Sequence, residues 1–152
     1  MPERINTPTN SASGVGTGPV SKNPSILIIE DEVFLTNLLS LRFKKEGFEV
    51  FQAFSGSDAL QKLSEVTPDI ILLDLIIPDK NGFEVLEEIS QNPSWRNIPV
   101  IIVSNLGQES DIERGKSLGA VDYYVKARLS IDELVKKVKD LATKDLAAKQ
   151  GI

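Results

Sequence analysis

The 152-residue chain has no cysteine, no histidine, one methionine and one tryptophan. The first two absences remove much chemistry: disulfide scaffolds, thiol nucleophiles, zinc sites built on Cys or His, and Ser-His-Asp triads. Long hydrophobic runs are missing too. The longest apolar stretches extend over a few residues, such as Ile26 to Ile29, against the ~20 that a membrane-spanning helix needs. Nor is there an excess of positive charge. Lys and Arg number 17 against 22 Asp and Glu, a formal net charge of -5, which suits phosphate attraction to nucleic acid poorly. Carboxylates, Lys, Arg and hydroxyls are left to do any chemistry. With 41% hydrophobic and 26% charged residues, the composition is that of one ordinary globular domain.

Residues 1–24 differ from the remainder. Gly, Pro, Ser, Thr and Asn dominate them, and four of the chain's 8 prolines lie there. So little apolar surface cannot offset the entropy of ordering, and the stretch reads as a disordered leader. No apolar core follows Arg4, so it is not a secretory signal. Gly14-Val15-Gly16-Thr17-Gly18 superficially suggests a phosphate-cradling loop, but no strand pattern precedes it and no helix pattern follows.

From Ser25 onward, short apolar runs alternate with amphipathic stretches. Ile26 to Ile29, Val50 to Phe54, Ile70 to Leu73, Val100 to Val103 and Val121 to Val125 read as strands. The first, third and fourth show no polar alternation, as parallel strands covered on both faces do. Phe34, Leu35, Leu38, Leu39, Leu41 and Phe43 predict a first helix with a wide apolar face, stopped by Gly47. Ala59, Leu60 and Leu63 mark a second, and Gly82, Phe83, Val85, Leu86 and Ile89 a third. A fourth is expected over Ile112 to Leu118, with Ser110 or Asp111 as N-cap, and a fifth after a Ser130 cap. Five βα units demand a parallel sheet with helices on both faces.

Open parallel sheets bind ligands beyond the C-terminal ends of their strands. Glu30, Asp31 and Glu32 follow the first strand, Asp74 the third, Ser104-Asn105 the fourth and Lys126 the fifth. Each residue alone has a bland reading: a turn aspartate, acids complementing a helix dipole, a solvated lysine. Their placement together at the C-terminal ends of the first, third, fourth and fifth strands does not. Clustered carboxylates repel unless a cation neutralises them. Oxygen ligands without His or Cys point to a hard ion, Mg²⁺ or its relative Mn²⁺. Such an ion with a Lys and a Ser suits phosphoryl chemistry.

In these residues the chain resembles a response-regulator receiver domain, the phosphoacceptor module of two-component signalling. The resemblance spans about Ser25 to Ala142. Glu30-Asp31 matches the acidic pair, Asp74 the phosphorylated aspartate, Pro78 and Gly82 the following turn, and Ser104 and Tyr123 the switch residues. Lys126 matches the family's lysine, and the spacings agree: Ser104 lies 30 and Lys126 52 residues after Asp74. The resemblance implies a flavodoxin-like α/β fold with a doubly wound five-stranded parallel sheet, strand order 2-1-3-4-5, over residues 25–142, then a C-terminal helical tail, 143–152. It implies Mg²⁺ held by Glu30, Asp31, Asp74 and the Ile76 backbone carbonyl, with Lys126 and Ser104 on the phosphoryl oxygens. A histidine kinase or histidine phosphotransfer protein would be the donor. A protein target on the helix 4–strand 5–helix 5 face would read the output, the chain being cytoplasmic, and monomeric or dimeric on phosphorylation.

Three positions depart from the family pattern: Ile76 where many members are polar, Asn105 where a small residue is usual, and Ala127 in place of proline. A cis Lys126–Ala127 peptide would cost ~3 kcal/mol, which favours a trans bond and a less rigidly held lysine. No output domain is legible after Leu141, so signalling through a partner is expected, without enzymatic turnover beyond self-phosphorylation and self-dephosphorylation. Two rivals stand beside this reading. One is a pseudo-receiver that binds partners without phosphate turnover. The other is a haloacid-dehalogenase-type phosphatase, weakened because its second acid would have to occupy the position of Ile76.

Overall fold

The computed structural model describes residues 23–149, with side chains described for 23–143. The expected leader therefore lies outside the described residues except for Asn23 and Pro24. Five strands, β1 (Ser25–Ile29), β2 (Glu49–Ala53), β3 (Ile70–Leu73), β4 (Val100–Ser104) and β5 (Asp122–Val125), alternate with five helices. These are α1 (Val33–Lys45), α2 (Gly56–Glu65), α3 (Gly82–Gln91), α4 (Glu109–Ser117) and α5 (Ile131–Lys149). All strands are parallel, in the order β2-β1-β3-β4-β5. This is the flavodoxin-like arrangement. α5 runs from Ile131 to Lys149, so the helix continues past residue 142.

The two-residue period of a strand sorts the side chains. Ile26, Ile28, Ile70, Leu72, Ile101 and Val103 face one way and pack on Leu39 and Phe43 of α1 and Leu134, Val135 and Val138 of α5. Leu27, Ile29, Ile71, Leu73 and Ile102 face the other way, against Ala59, Leu63, Phe83, Leu86 and Ile89 of α2 and α3. Both faces need apolar residues, which is why the central strands are unbroken Ile, Leu and Val. Each fully buried side chain of this kind contributes about 1.5–3 kcal/mol.

Two expectations for helices are corrected. Half of the wide apolar face of α1 is solvent-facing: Leu39 and Phe43 are buried and Leu35 packs beside them, while Phe34 is 76%, Leu41 69% and Leu38 43% exposed. A helix lying on a sheet contacts it along one stripe, so only residues in that stripe are covered. α4 begins at Glu109 rather than near Ile112, with Gln108 at the cap position and no side-chain capping bond. The Gln108 carbonyl accepts from the amides of Asp111 and Ile112, and Glu109 and Asp111 complement the first turn. Such a polar first turn carries no apolar periodicity to read. Elsewhere the expected ends appear: Gly47 takes φ +95° after α1, and Ser130 Oγ accepts from the Glu133 amide at the start of α5.

Candidate functional site

β1 pairs with β2 on one side and β3 on the other, so the chain reverses its winding between β1 and β3. A crevice forms there at the C-terminal end of the sheet. Glu30 and Asp74 stand at its two lips, one residue past β1 and β3. Their backbones remain in the hydrogen-bonding ladder: the Asp74 amide donates to the Ile29 carbonyl (2.9 Å) and the Glu30 amide to that of Ala53 (3.0 Å). Both side chains are thus fixed by the sheet rather than by a loop. Beneath them Ile28, Leu39, Leu72 and Val103 form an apolar floor.

Glu30 and Asp74 are buried, Asp31 is exposed, and one oxygen from each lies within 4.8 Å of the others. Such proximity among acids requires positive charge. Lys126, directly after β5, reaches across the rim with its Nζ 2.8 Å from Glu30 Oε1 and 2.9 Å from Asp74 Oδ2. Asp74 Oδ1 accepts from the Ile76 amide at 3.1 Å. Burial and the Asp74 charge outweigh the Lys126 hydrogen bond, pushing the Glu30 carboxyl up to about 7. Burial pulls the Lys126 ammonium the opposite way, but its bonds to Glu30 and Asp74 prevail and hold it above the usual lysine value. One ammonium is shared among more carboxylates than it can neutralise, and all the donors are oxygens. The donor set therefore fits a small hard cation.

Among the described residues no peptide bond is cis, so Lys126–Ala127 is trans, and Lys126–Arg128 forms a short 3-10 turn. The lysine is nonetheless firmly held, against expectation, because carboxylates grip its head group. Glu32, to which sequence reasoning gave no role, is one of them, with Oε1 3.4 Å from Nζ. Its only signal was adjacency to the acidic pair. Ser104 ends β4, fully buried. Its Oγ accepts from the Leu106 amide (3.3 Å), and the Tyr123 hydroxyl donates to the Leu106 carbonyl. The two are thus linked through one residue of the β4–α4 loop. Burial, with the charges of Asp111 and Asp74, pushes the Tyr123 hydroxyl up to about 12, so it stays a donor at neutral pH.

The sequence model of the response regulator receiver domain matches residues 26–139. The chain belongs to this family. It is 38% identical over 116 residues to the phosphate regulon transcriptional regulatory protein PhoB of Rhizobium meliloti, covering 76% of this chain and 51% of that protein. The chain thus spans about half the length of this curated relative. The receiver domain of Francisella response regulator 1452 superposes with a TM-score of 0.74 at 30% identity, covering 80% of this chain and 98% of the other. The Mn²⁺-bound form of response regulator Rcp1 gives 0.66 at 30% identity, with 80% and 88% covered. Receiver domains are phosphoacceptors of two-component signalling. Among the described residues, no helix is long and apolar enough to cross a membrane.

Proposed function

We propose that this receiver domain accepts a phosphoryl group on Asp74 from a histidine kinase or a histidine phosphotransfer protein. The observation that carries the reading is the Asp74 carboxylate, buried, 2.9 Å from Lys126 and within the acidic cluster. In the transfer the donor's P–N bond breaks, the imidazole nitrogen keeps the electron pair, and a P–O bond forms to an Asp74 carboxylate oxygen. Glu30, Asp31, Asp74 and the Ile76 carbonyl would hold Mg²⁺, whose charge offsets that of the phosphoryl oxygens; the Mn²⁺ in the Rcp1 structure supports that choice. Lys126 supplies a second positive charge already aimed at Asp74, and Ser104 a hydroxyl donor. Excluded water on the apolar floor strengthens both contacts.

Residues 25–142 form the receiver unit in this reading, with 1–24 as a leader and 143–152 as a tail. Output runs through Ser104, Leu106 and Tyr123 to a face made by α4, β5 and α5, where a protein partner docks in the cytoplasm. Movement of Ser104 toward the phosphoryl group shifts a two-state equilibrium of that face. Amide shifts at Ser104, Tyr123 and α4 larger than those in α1 and α2, on adding a phosphoryl mimic, are the expected sign.

Incubation with Mg²⁺ and a small phosphodonor, followed by intact mass measurement, should show one added phosphoryl group. Asp31→Asn should lower the yield by roughly 10–100-fold, as loss of a metal ligand or its partner does, without loss of folding. A parent protein that takes up no phosphate under these conditions would instead be a partner-binding module that has kept only the fold.

A further inference from the structure

The loop between β3 and α3 contains a backbone strain that the functional reading above does not use. Asp79 has φ +62°, the only non-glycine positive φ among the described residues. The Lys80 amide donates back to the Pro78 carbonyl at 2.8 Å across it, closing a three-residue γ-turn of the rare positive-φ kind. A non-glycine residue there costs of order 1–3 kcal/mol and persists only when its surroundings hold it.

The surroundings are the first turn of α2. A helix leaves its first amides without intrahelical acceptors, and here each is met from a different source. Gly56 N–H donates to the Pro78 carbonyl (3.2 Å), Ser57 N–H to Asp79 Oδ1 (3.0 Å), and Asp58 N–H to the Ser55 hydroxyl (3.0 Å). Two of these three acceptors come from the β3–α3 loop. The bond from the Ser57 amide, the first cause, together with the Ser55 hydroxyl, holds the Asp79 carboxyl below its usual value. Gly56 permits the approach: a Cβ there would lie 2.5 Å from Lys80 Cβ and 3.0 Å from the Lys80 carbonyl oxygen. At its other end the loop is closed by the Gly82 amide on the Leu75 carbonyl (2.8 Å). Ile76, whose amide meets Asp74, lies between these two fastenings.

We propose that Asp79 is a positioning residue for the phosphoacceptor site. By docking the loop on the α2 N-terminus it fixes the Ile76 backbone relative to Asp74, and with it the ligand set for Mg²⁺. This rests on the reading of Asp74 and Ile76 given above. Its chemistry is that of an outer-shell partner, whose loss typically costs 10–100-fold in metal affinity. A residue acting only on stability would lower the unfolding midpoint and leave metal affinity unchanged.

The test compares Asp79→Ala, Asp79→Gly and Asp79→Asn as metal-free proteins titrated with Mg²⁺ alone, by calorimetry and by the amide resonance of Ile76. Asp79→Ala and Asp79→Gly should bind Mg²⁺ about tenfold more weakly and show a displaced Ile76 resonance before any metal is added. Asp79→Gly relieves the backbone strain, so its failure isolates the lost carboxylate. Asp79→Asn keeps an acceptor oxygen and should stay within about twofold of the parent, since Asn and Asp cap comparably. Gly56→Ala retains Asp79 but pushes the loop away, and should match Asp79→Ala; it carries the test if the Asp79 variants do not fold. Parental Mg²⁺ affinity and an unmoved Ile76 resonance in Asp79→Ala and Asp79→Gly overturn the proposal. A parent that binds Mg²⁺ and responds to these changes, yet is not phosphorylated, defeats the phosphoacceptor reading and leaves the positioning role standing. A parent that binds no Mg²⁺ defeats both.

Discussion

β3 has an aspartate at each end, and the two are buried almost equally: Asp69 is 2% and Asp74 4% exposed. Their company differs. Asp69 Oδ2, at the N-terminal rim, accepts from the Ser25 amide at 2.8 Å and the Ser25 hydroxyl at 3.3 Å, and the Asp69 amide returns a bond to the Ser25 carbonyl. These contacts tie β3 to β1 and close the bottom of the sheet. Asp74, at the C-terminal rim, faces Glu30 and Asp31 and shares the Lys126 ammonium with Glu30 and Glu32. Burial of a carboxylate is therefore no mark of function in this molecule. The mark is a surplus of like charge that the protein leaves for something else to neutralise.

Exchange of each aspartate for its amide breaks the comparison most sharply. Asp74→Asn should abolish phosphorylation measured by intact mass and leave the fold intact, because it removes one of several repelling charges. Asp69→Asn should leave phosphorylation unaltered and cost about 1–3 kcal/mol in urea unfolding, the usual effect of spoiling buried hydrogen bonds. Phosphate uptake by Asp74→Asn would place the acceptor elsewhere.

Removal of the ammonium separates the rims by stability. Lys126→Met strands Glu30 and Asp74 in a buried, uncompensated state, and should destabilise by about 3–5 kcal/mol at neutral pH. Added Mg²⁺ should restore part of the loss, whereas no metal should rescue Asp69→Asn. A Lys126→Met protein as stable as the parent would show that the ion pairs contribute nothing net.

A smaller effect is confined to the upper rim. The folded protein keeps a proton on Glu30 up to about pH 7, whereas the unfolded chain releases it near the ordinary value of 4.5. Between those values the native state binds more protons, so this group's contribution to stability falls as pH rises. Urea midpoints at about pH 5 and about pH 8 should show the fall in the parent and a flatter profile in Glu30→Gln. A fall that persists unchanged in the variant assigns it to another group.

The smallest effect concerns the lifetime of the phosphoryl group. Ile76 is 55% exposed two residues after Asp74, with no side-chain donor or acceptor. Hydrolysis needs a water held in line with the Asp74 oxygen, which an apolar side chain there disfavours. Ile76→Asn should hydrolyse several-fold faster, a modest share of the barrier, and remain competent for phosphorylation. Equal or slower hydrolysis would shift attention to Asn105.

Much of this was legible in the residue pattern because it depends on short-range rules. Unbroken Ile26 to Ile29 and Ile70 to Leu73 announced strands covered on both faces, and Gly47 and Ser130 announced helix ends, each through backbone geometry local to the residue. The acids after Ile29 and Leu73, and Lys126 after Val125, pointed to one rim because parallel strands bring their C-terminal ends together. The exposed side of α1 was not legible, since Phe34 and Leu41 are as apolar as Leu39 and Phe43 and only the seating of the helix on the sheet distinguishes them. The polar first turn of α4 offered no period to detect.

By itself, then, the sequence determined the order of elements, the layering of the sheet and which ionisable groups share its C-terminal end, because periodicity and chain direction suffice for these. Only the tertiary structure decided how charge is apportioned there. Lys126 is gripped from three sides despite its trans peptide, Glu32 joins the network, and the carboxyls of Glu30 and Asp79 are pushed in opposite directions. Residues far apart in the chain set these outcomes through distances of 2.8–3.4 Å and through exclusion of water, and electrostatic energy depends steeply on both.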